Sequence, residues 1–351
     1  MRLLRQAAQL LHRPRSAAVA DVVRHLGGVQ AQDTGAFPLA IRARSRGRTA
    51  EDVEDALTGE RSVVRTWAMR GTLHLVAAED HGWLVPLVGE PALTGAHRRL
   101  GQLGLRGDSP TKAVRLLRRM LANGPLTRAE IRERLEAKGI PAEGQAVVHV
   151  LHLAALRGIV CEGPPDGRIR TTVLVRDWLS PARTLDRDEA LAELASRYLS
   201  CHAPAAPPDF AYWSGLRAAD ARRGWGTISE RLVEVPTARG TMWRLRSRSA
   251  EPPSGVVRLV PAFDEYLLGW KGRELSVPEA HARSVFPGGG ILRPGMLVDG
   301  LAAGGWGATR HRGRVKVTVT PFGPPPARVR LTEETRDLGE FLGVSVDLVV
   351  G

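Results

Sequence analysis

The stretch from residue 109 to residue 179 constrains the fold most, because it carries start and stop signals for three helices and a hairpin in one run. Ala113-Val114-Arg115-Leu116-Leu117-Arg118-Arg119-Met120-Leu121 has the apolar spacing of an amphipathic helix and ends at Asn123-Gly124, a helix stop. Pro125-Leu126-Thr127-Arg128-Ala129-Glu130 opens the next helix: Thr127 is the N-cap, and Glu130, three residues on, completes a capping box. That helix breaks at Gly139, and a third runs over residues 144–156, with Val147, Val148, Val150, Leu151, Leu153 and Ala154 as its apolar residues. Arg157-Gly158 stops it. Ile159-Val160-Cys161 predicts a strand, Gly163-Pro164-Pro165-Asp166-Gly167 a turn, and residues 168–175 the returning strand. Three helices and a hairpin form the helix-turn-helix plus wing layout, in which the third helix is offered to a DNA groove.

The same order recurs on both sides. Residues 183–200 are helical, Ala206-Pro207-Pro208-Asp209 caps a helix holding Phe210, Tyr212, Trp213 and Leu216, and residues 218–225 supply a third. Runs at 232–235 and 241–245 flank the turn Thr237-Ala238-Arg239-Gly240 as a wing. In the N-terminal part, residues 3–11, 17–26, 37–44 and 50–57 are helical, and 62–67 with 72–76 make a hairpin across Ala68-Met69-Arg70-Gly71. The repeat is one of architecture, not of sequence. Beyond Pro252-Pro253-Ser254-Gly255 the pattern turns to short strands at 256–260, 295–298, 301–303 and 315–319, with Asp299-Gly300 as a tight hairpin turn and a helix near 333–342. The expectation is an α+β chain of three tandem winged helices, residues 1–108, 109–182 and 183–250, followed by a small, mostly β domain at 251–351.

A formal charge of +13 concentrates polyanions at the surface, and double-stranded DNA is the partner it suggests. Only Lys112, Lys138, Lys271 and Lys316 are lysines, however, so the arginine excess also fits the coding bias of a GC-rich genome. Cys161 and Cys201 fit neither a disulfide framework nor a zinc site, which implies a reducing cytoplasm and no metal. Residues 1–15 lack the apolar core of a secretory signal, and no run approaches the roughly 20 apolar residues a membrane span needs, so neither export nor a membrane is expected.

Five stretches, taken in order, resemble the AlkZ/YcaQ group of winged-helix DNA glycosylases. They are Gly28-Val29-Gln30-Ala31-Gln32, Arg70-Gly71-Thr72-Leu73-His74-Leu75-Val76, Asp209-Phe210-Ala211-Tyr212-Trp213-Ser214-Gly215-Leu216, Phe263-Asp264-Glu265-Tyr266-Leu267-Leu268-Gly269 and Leu297-Val298-Asp299-Gly300. No single motif is specific; their succession is. The resemblance implies a C-shaped scaffold around a basic concave face that accepts duplex DNA. It also implies hydrolysis of N-glycosidic bonds to bulky alkylated purines, crosslinked ones included, without a cofactor. The family's Gln-apolar-Gln motif falls on Gln30, Ala31 and Gln32; YcaQ-like relatives carry Asp at the second polar place, where this chain has Gln32.

Residues two apart share a side only in an extended backbone, since in a helix they diverge by about 200°. Gly27-Gly28 breaks the preceding helix, so both amides can face one ligand. Neutral amides suit a leaving group that is already cationic, as N7-alkylated guanine is, where the enzyme need only place a water and stabilise an oxocarbenium-like sugar. Without that context the pair reads as a polar loop. Asp33 is the alternative water activator. Arg65, Arg70 and His74 on the first hairpin are candidate phosphate contacts, His74 equally a half-buried histidine. Arg310, Arg312 and Arg314 form a basic tip on a later hairpin, suited to a groove or to a solvated turn. Asp264 and Glu265 read as paired acids or as a helix cap, and Trp67, Trp83, Trp213, Trp270 and Trp306 as core residues. No lysine neighbours the glutamines, which disfavours a Schiff-base step. The competing reading is a winged-helix regulator or architectural factor without chemistry; such proteins are usually dimers, whereas several winged helices in one chain suit a monomer.

Overall fold

A computed structural model of the chain describes all residues except 14–15, 238–239, 248–252 and 312. Arg15, the turn residues Ala238 and Arg239, Pro252 of the linker and Arg312 of the basic tip therefore lie outside the described residues.

The chain opens with α1 (Arg2–Ala8), after which three segments repeat one order of elements. The first holds α2 (Val19–Leu26), β1 (Val29–Gln30), α3 (Phe37–Arg42), α4 (Ala50–Thr58), β2 (Val63–Trp67) and β3 (Leu73–Ala77). A long helix, α5 (His81–Gln102), leads to the second: α6 (Ser109–Leu121), β4 (Leu126–Thr127), α7 (Arg128–Glu136), α8 (Gln145–Leu156), β5 (Val160–Asp166) and β6 (Ile169–Leu174). Their sheets share a strand order, β1-β3-β2 and β4-β6-β5, so each short strand pairs with the second strand of its hairpin. After α9 (Val175–Trp178), the third segment has α10 (Arg187–His202), α11 (Pro207–Ser214), α12 (Ala218–Thr227), β7 (Leu232–Thr237) and β8 (Gly240–Leu245). Its short strand shrinks to one bridge between Ala205 and Trp243 of β8.

The last hundred residues hold β9 (Val257–Val260), α13 (Glu265–Leu268), α14 (Ala282–Val285), β10 (Gly295–Val298), β11 (Leu301–His311), β12 (Arg314–Pro321), α15 (Arg328–Leu342) and β13 (Ser345–Val350). The sheet runs β13-β12-β11-β10-β9, with only β12 and β13 parallel, as the α15 crossover between them requires. Asp299 and Gly300 both take positive φ, 49° and 74°, which gives the β10–β11 turn the twist its strands need.

Local signals set many boundaries. Thr127 accepts the Glu130 N–H while the Glu130 carboxylate accepts the Thr127 N–H, and Thr49 with Asp52 and Asp186 with Glu189 do the same for α4 and α10. Tertiary packing overrides others. Proline in a helix interior ordinarily breaks it, yet Pro86 and Pro91 sit inside the 22-residue α5, which packs along α8. As a result much of α8 is covered: Ala146, Val147, Val150, Leu151, Leu153, Ala154, Ala155 and Leu156 are all buried. Gln145, Val148, His149 and His152 keep some exposure along one side, while the rest of the helix forms the core of its segment. The turn expected at 163–167 is partly strand: β5 continues to Asp166 through an irregular register between Glu162 and Pro165.

The segments share cores. Met69, Tyr198, Trp213, Tyr266 and Leu297 fall in one apolar cluster, which joins the first hairpin, the third segment and the C-terminal domain. Two buried ionic joints tie the same parts. Arg44 holds Asp264 through two 2.8 Å bonds with both side chains fully buried, and Glu334 on α15 takes Arg42 at 2.8 Å, Arg13 at 3.2 Å and Arg258 at 2.8 Å. Part of the arginine excess is thus internal: Arg5, Arg13, Arg42, Arg44 and Arg65 are all buried. Among the described residues no helix is long and apolar enough to cross a membrane.

Candidate active site

Between the short strand and the next helix the three segments differ. In the second, Thr127 ends β4 and directly caps α7; in the first, Ala31 to Ala36 intervene between β1 and α3. The Gln-Ala-Gln motif occupies the start of that extra stretch. Gly27 ends α2 in the left-handed region, φ 70°, and Gly28 at φ 139° swings the chain into β1. A Cβ on Gly28 would lie 2.5 Å from the Met69 methyl. Gly28→Ala is therefore expected to cost about 1–3 kcal/mol of backbone strain, read as a lower thermal unfolding midpoint.

The backbone then stays extended through Ala31. Gln30 pairs with His74 of β3, Ala31 N–H donates to Leu73 O at 2.8 Å, and Ala31 O accepts Arg65 Nε–H at 2.8 Å. Anchored on both of its peptide groups, Ala31 turns the flanking glutamines to one side. Gln30 Nε2–H donates to Gln32 Oε1 at 2.6 Å. Gln30 is 5 % exposed and its Oε1 is buried without a hydrogen-bond partner among the described residues, whereas Gln32 faces solvent. The pair thus joins a recessed amide to an accessible one.

Behind the strand lies Glu265, one of the two acids that read as a pair or as a helix cap, in contact with the motif itself. Gln30 N–H points away from β3 and donates to Glu265 Oε1 at 2.9 Å; Trp213 Nε1–H donates to Glu265 Oε2 at 3.2 Å. Glu265 is fully buried, and burial raises its pKa above the ordinary value, opposed by the Arg70 charge and the two N–H donors. Only one of the two adjacent acids serves as the cap: Asp264 Oδ1 accepts the Tyr266 N–H at 2.9 Å. A pair of acids where a cap needs one was the available signal.

Asp33 is exposed, and its Oδ1 accepts the N–H groups of Gly35 at 2.8 Å and Ala36 at 3.2 Å, so it shapes the turn into α3. The three expected phosphate contacts on the first hairpin are otherwise engaged. Arg65 is buried, braces the motif through Ala31 O and pairs with Glu162, which Arg170 also approaches at 3.6 Å. Arg70 is half-buried at φ 56° and donates to Trp213 O, with Gly215 packed against its backbone. His74 is fully buried. Its Nδ1 lies 3.0 Å from Thr72 O, which can only accept, so Nδ1 carries the proton. Burial first, and then the nearby Arg70 charge, push its pKa down to about 3, so the ring is neutral. All three bond to neighbouring parts of the fold, Arg65 to Ala31 O, Arg70 to Trp213 O and His74 to Thr72 O. On the later hairpin Arg310 is exposed, while Arg314 is exposed but paired with Asp347 on β13 at 2.6 Å.

The tryptophans are packed inside, each indole N–H of Trp83, Trp213, Trp270 and Trp306 bonded to an acceptor, and Trp67 half-buried against His152. Among the described residues no group of three or more His, Cys, Asp or Glu side chains forms a metal-binding set.

The amide pair, open at Gln32, supplies donors and acceptors of fixed direction and no titrating proton of its own. The profile of a family described as DNA glycosylase AlkZ-like matches residues 23–341. A relative from Streptomyces sahachiroi, named an interstrand DNA cross-link repair glycosylase, is 28% identical over 340 residues, which span 91% of this chain and 88% of its own. The solved structure of the Streptomyces sahachiroi DNA glycosylase AlkZ superposes with a TM-score of 0.84 at 26% identity, covering 99% of this chain and 98% of that one. With the match running from the helix before the glutamine motif to the end of α15, the chain belongs to the AlkZ-like family of DNA glycosylases.

Proposed function

We propose that the protein hydrolyses the N-glycosidic bond of bulky N7-alkylated purines in duplex DNA, monoadducts and interstrand crosslinks, in repair or in self-resistance to a genotoxic natural product. The observation that carries this reading is the hydrogen-bonded Gln30–Gln32 pair on an extended strand, one amide recessed and the other open. Alkylation at N7 puts a positive charge on the base, so the bond breaks without a proton from the enzyme. The barrier left is the placement of a water and the stabilisation of an electron-poor anomeric carbon, which oriented amide oxygens lower. The relative's name as a cross-link repair glycosylase supports crosslinked substrates. The reaction is monofunctional, water being the nucleophile. The three repeated segments are taken as winged helices that wrap one duplex as a monomer.

The test is a duplex with a single 7-methyldeoxyguanosine, scored by mass spectrometry for free 7-methylguanine, and beside it a duplex crosslinked by a nitrogen mustard. Base release is expected from both. Steeply salt-dependent duplex binding with no release from either substrate would instead make the chain a DNA-binding protein without chemistry. On the same reading the exposed Arg310 contacts phosphate. Arg310→Ala is expected to weaken binding to all sequences alike and to lower the salt slope by about one, measured by titration at several salt concentrations.

A further inference from the structure

We propose that Glu265 is the positioning residue of the glutamine pair, an ionised acceptor from the C-terminal domain that clamps the Gln30 backbone from behind and so sets where both amides point. The proposal rests on the catalytic reading of Gln30 and Gln32 given above.

β1 is two residues long and lies at the edge of its sheet. One side of it is fixed by β3. On the other side Gln30 N–H faces outward, where an edge strand ordinarily meets water or another chain. Here it meets a fully buried carboxylate 235 residues further along the chain. With the Ala31 anchors to Leu73 O and Arg65, this bond sets the tilt of so short a strand.

The carboxylate is itself held. Its second oxygen takes the Trp213 indole N–H from α11, and the turn that carries it is locked by the buried Arg44–Asp264 pair. Three parts of the fold therefore meet at one side chain: the first segment supplies Gln30, the third supplies Trp213, and the C-terminal domain supplies Glu265. Both oxygens accept from N–H groups, an arrangement that suits the ionised carboxylate, because a proton on either oxygen makes that oxygen the weaker acceptor. The charged groups around it are Arg70 from the first hairpin and Asp264 on its own turn, the latter neutralised by Arg44. His74 on β3 and His202, whose ring lies 5.3 Å from Trp213, are both buried with their pKa values pushed down by burial first of all, so neither changes charge in the working range.

Protonating Glu265 should thus release Gln30 N–H and slow base release. Its raised pKa moves that loss above the ordinary carboxylate range, so the rate falls as the pH drops through the folded-state value. The experiment measures single-turnover release of 7-methylguanine from the 7-methyldeoxyguanosine duplex across pH, with the spontaneous loss subtracted. Wild type is expected to show an acid limb. Glu265→Gln is expected to be slower by about 100-fold at neutral pH, with that limb gone and duplex affinity unchanged. Trp213→Phe keeps the Gln30 bond but removes one donor to the carboxylate, and is expected to move the limb to higher pH. Independently of any variant, the Gln30 amide resonance of the wild-type protein should titrate with the midpoint of the rate.

An acid limb that persists unchanged in Glu265→Gln, or a Gln30 amide that does not titrate, overturns the proposal. Gln32→Ala separates the two failures. If it keeps the wild-type rate, the catalytic reading itself has failed; if it is inactive while Glu265→Gln behaves as wild type, only the positioning role has.

Discussion

Gln32→Ala is expected to slow release of 7-methylguanine from duplex DNA by about 10²–10³-fold, with duplex affinity unchanged. Gln32 is exposed, and its Oε1 bonds to Gln30 Nε2–H. Truncating it therefore leaves the Ala31 anchors and the buried platform intact and removes only the accessible amide and the partner that orients the recessed one. An interaction made in the transition state alone should lower kcat and kcat/KM together. Asp33→Asn is the control in the same assay. Asn supplies the same oxygen to Gly35 N–H and Ala36 N–H, so the turn survives and the rate stays close to wild type. Reversed outcomes would make Asp33 the water activator.

Glu334→Gln is expected to cost about 3 kcal/mol of stability, because it removes the one carboxylate shared by three buried guanidinium groups and leaves Asp337 to pair only with Arg13 and Arg42. Glu334 and Arg42 are each only 2% exposed, and Glu334 Oε1 also accepts the Leu259 N–H at 2.9 Å. Burial alone would raise the carboxyl, but Arg42, Arg13 and Arg258, with that N–H, hold it down at about 2. The sign follows from linkage: a depressed folded-state value gives stability that is whole above the ordinary 4.5 and is lost as the pH falls from there toward 2. Urea unfolding at neutral pH and near pH 3 should show this acid-labile part in wild type and its loss in Glu334→Gln. Arg13 and Arg42 precede the first hairpin and Arg258 lies on β9, so the variant also loosens the docking that brings Glu265 to Gln30.

What could be read from the sequence was what neighbours decide. Thr127 and Glu130, Asp299 and Gly300, and the Gly27-Gly28 break before the glutamines all act within a few residues. The alternation that puts Gln30 and Gln32 on one side is equally local. The roles of the first-hairpin arginines were not legible, because their partners are remote: Glu162 is 97 residues from Arg65, and Trp213 is 143 from Arg70. An arginine on a hairpin looks like a phosphate contact until its acceptor within the fold is known. Glu265 stood out as one of two adjacent acids, but its partner was hidden for the same reason, the bond to Gln30 spanning 235 residues. Helix α5 has no such local signature: it holds Pro86 and Pro91 in its interior and depends on its packing along α8.

The central claim is that two neutral amides suffice because the departing base already carries the positive charge. It is tested most directly by two duplexes of one sequence, one holding 7-methyldeoxyguanosine and the other its neutral, imidazole-ring-opened derivative, with base release timed for each under single turnover. The account predicts rapid release of the cationic base and a loss of about 10³-fold or more for the neutral one, the scale of the acid catalysis that the glutamines cannot provide. Comparable rates on both duplexes would contradict it.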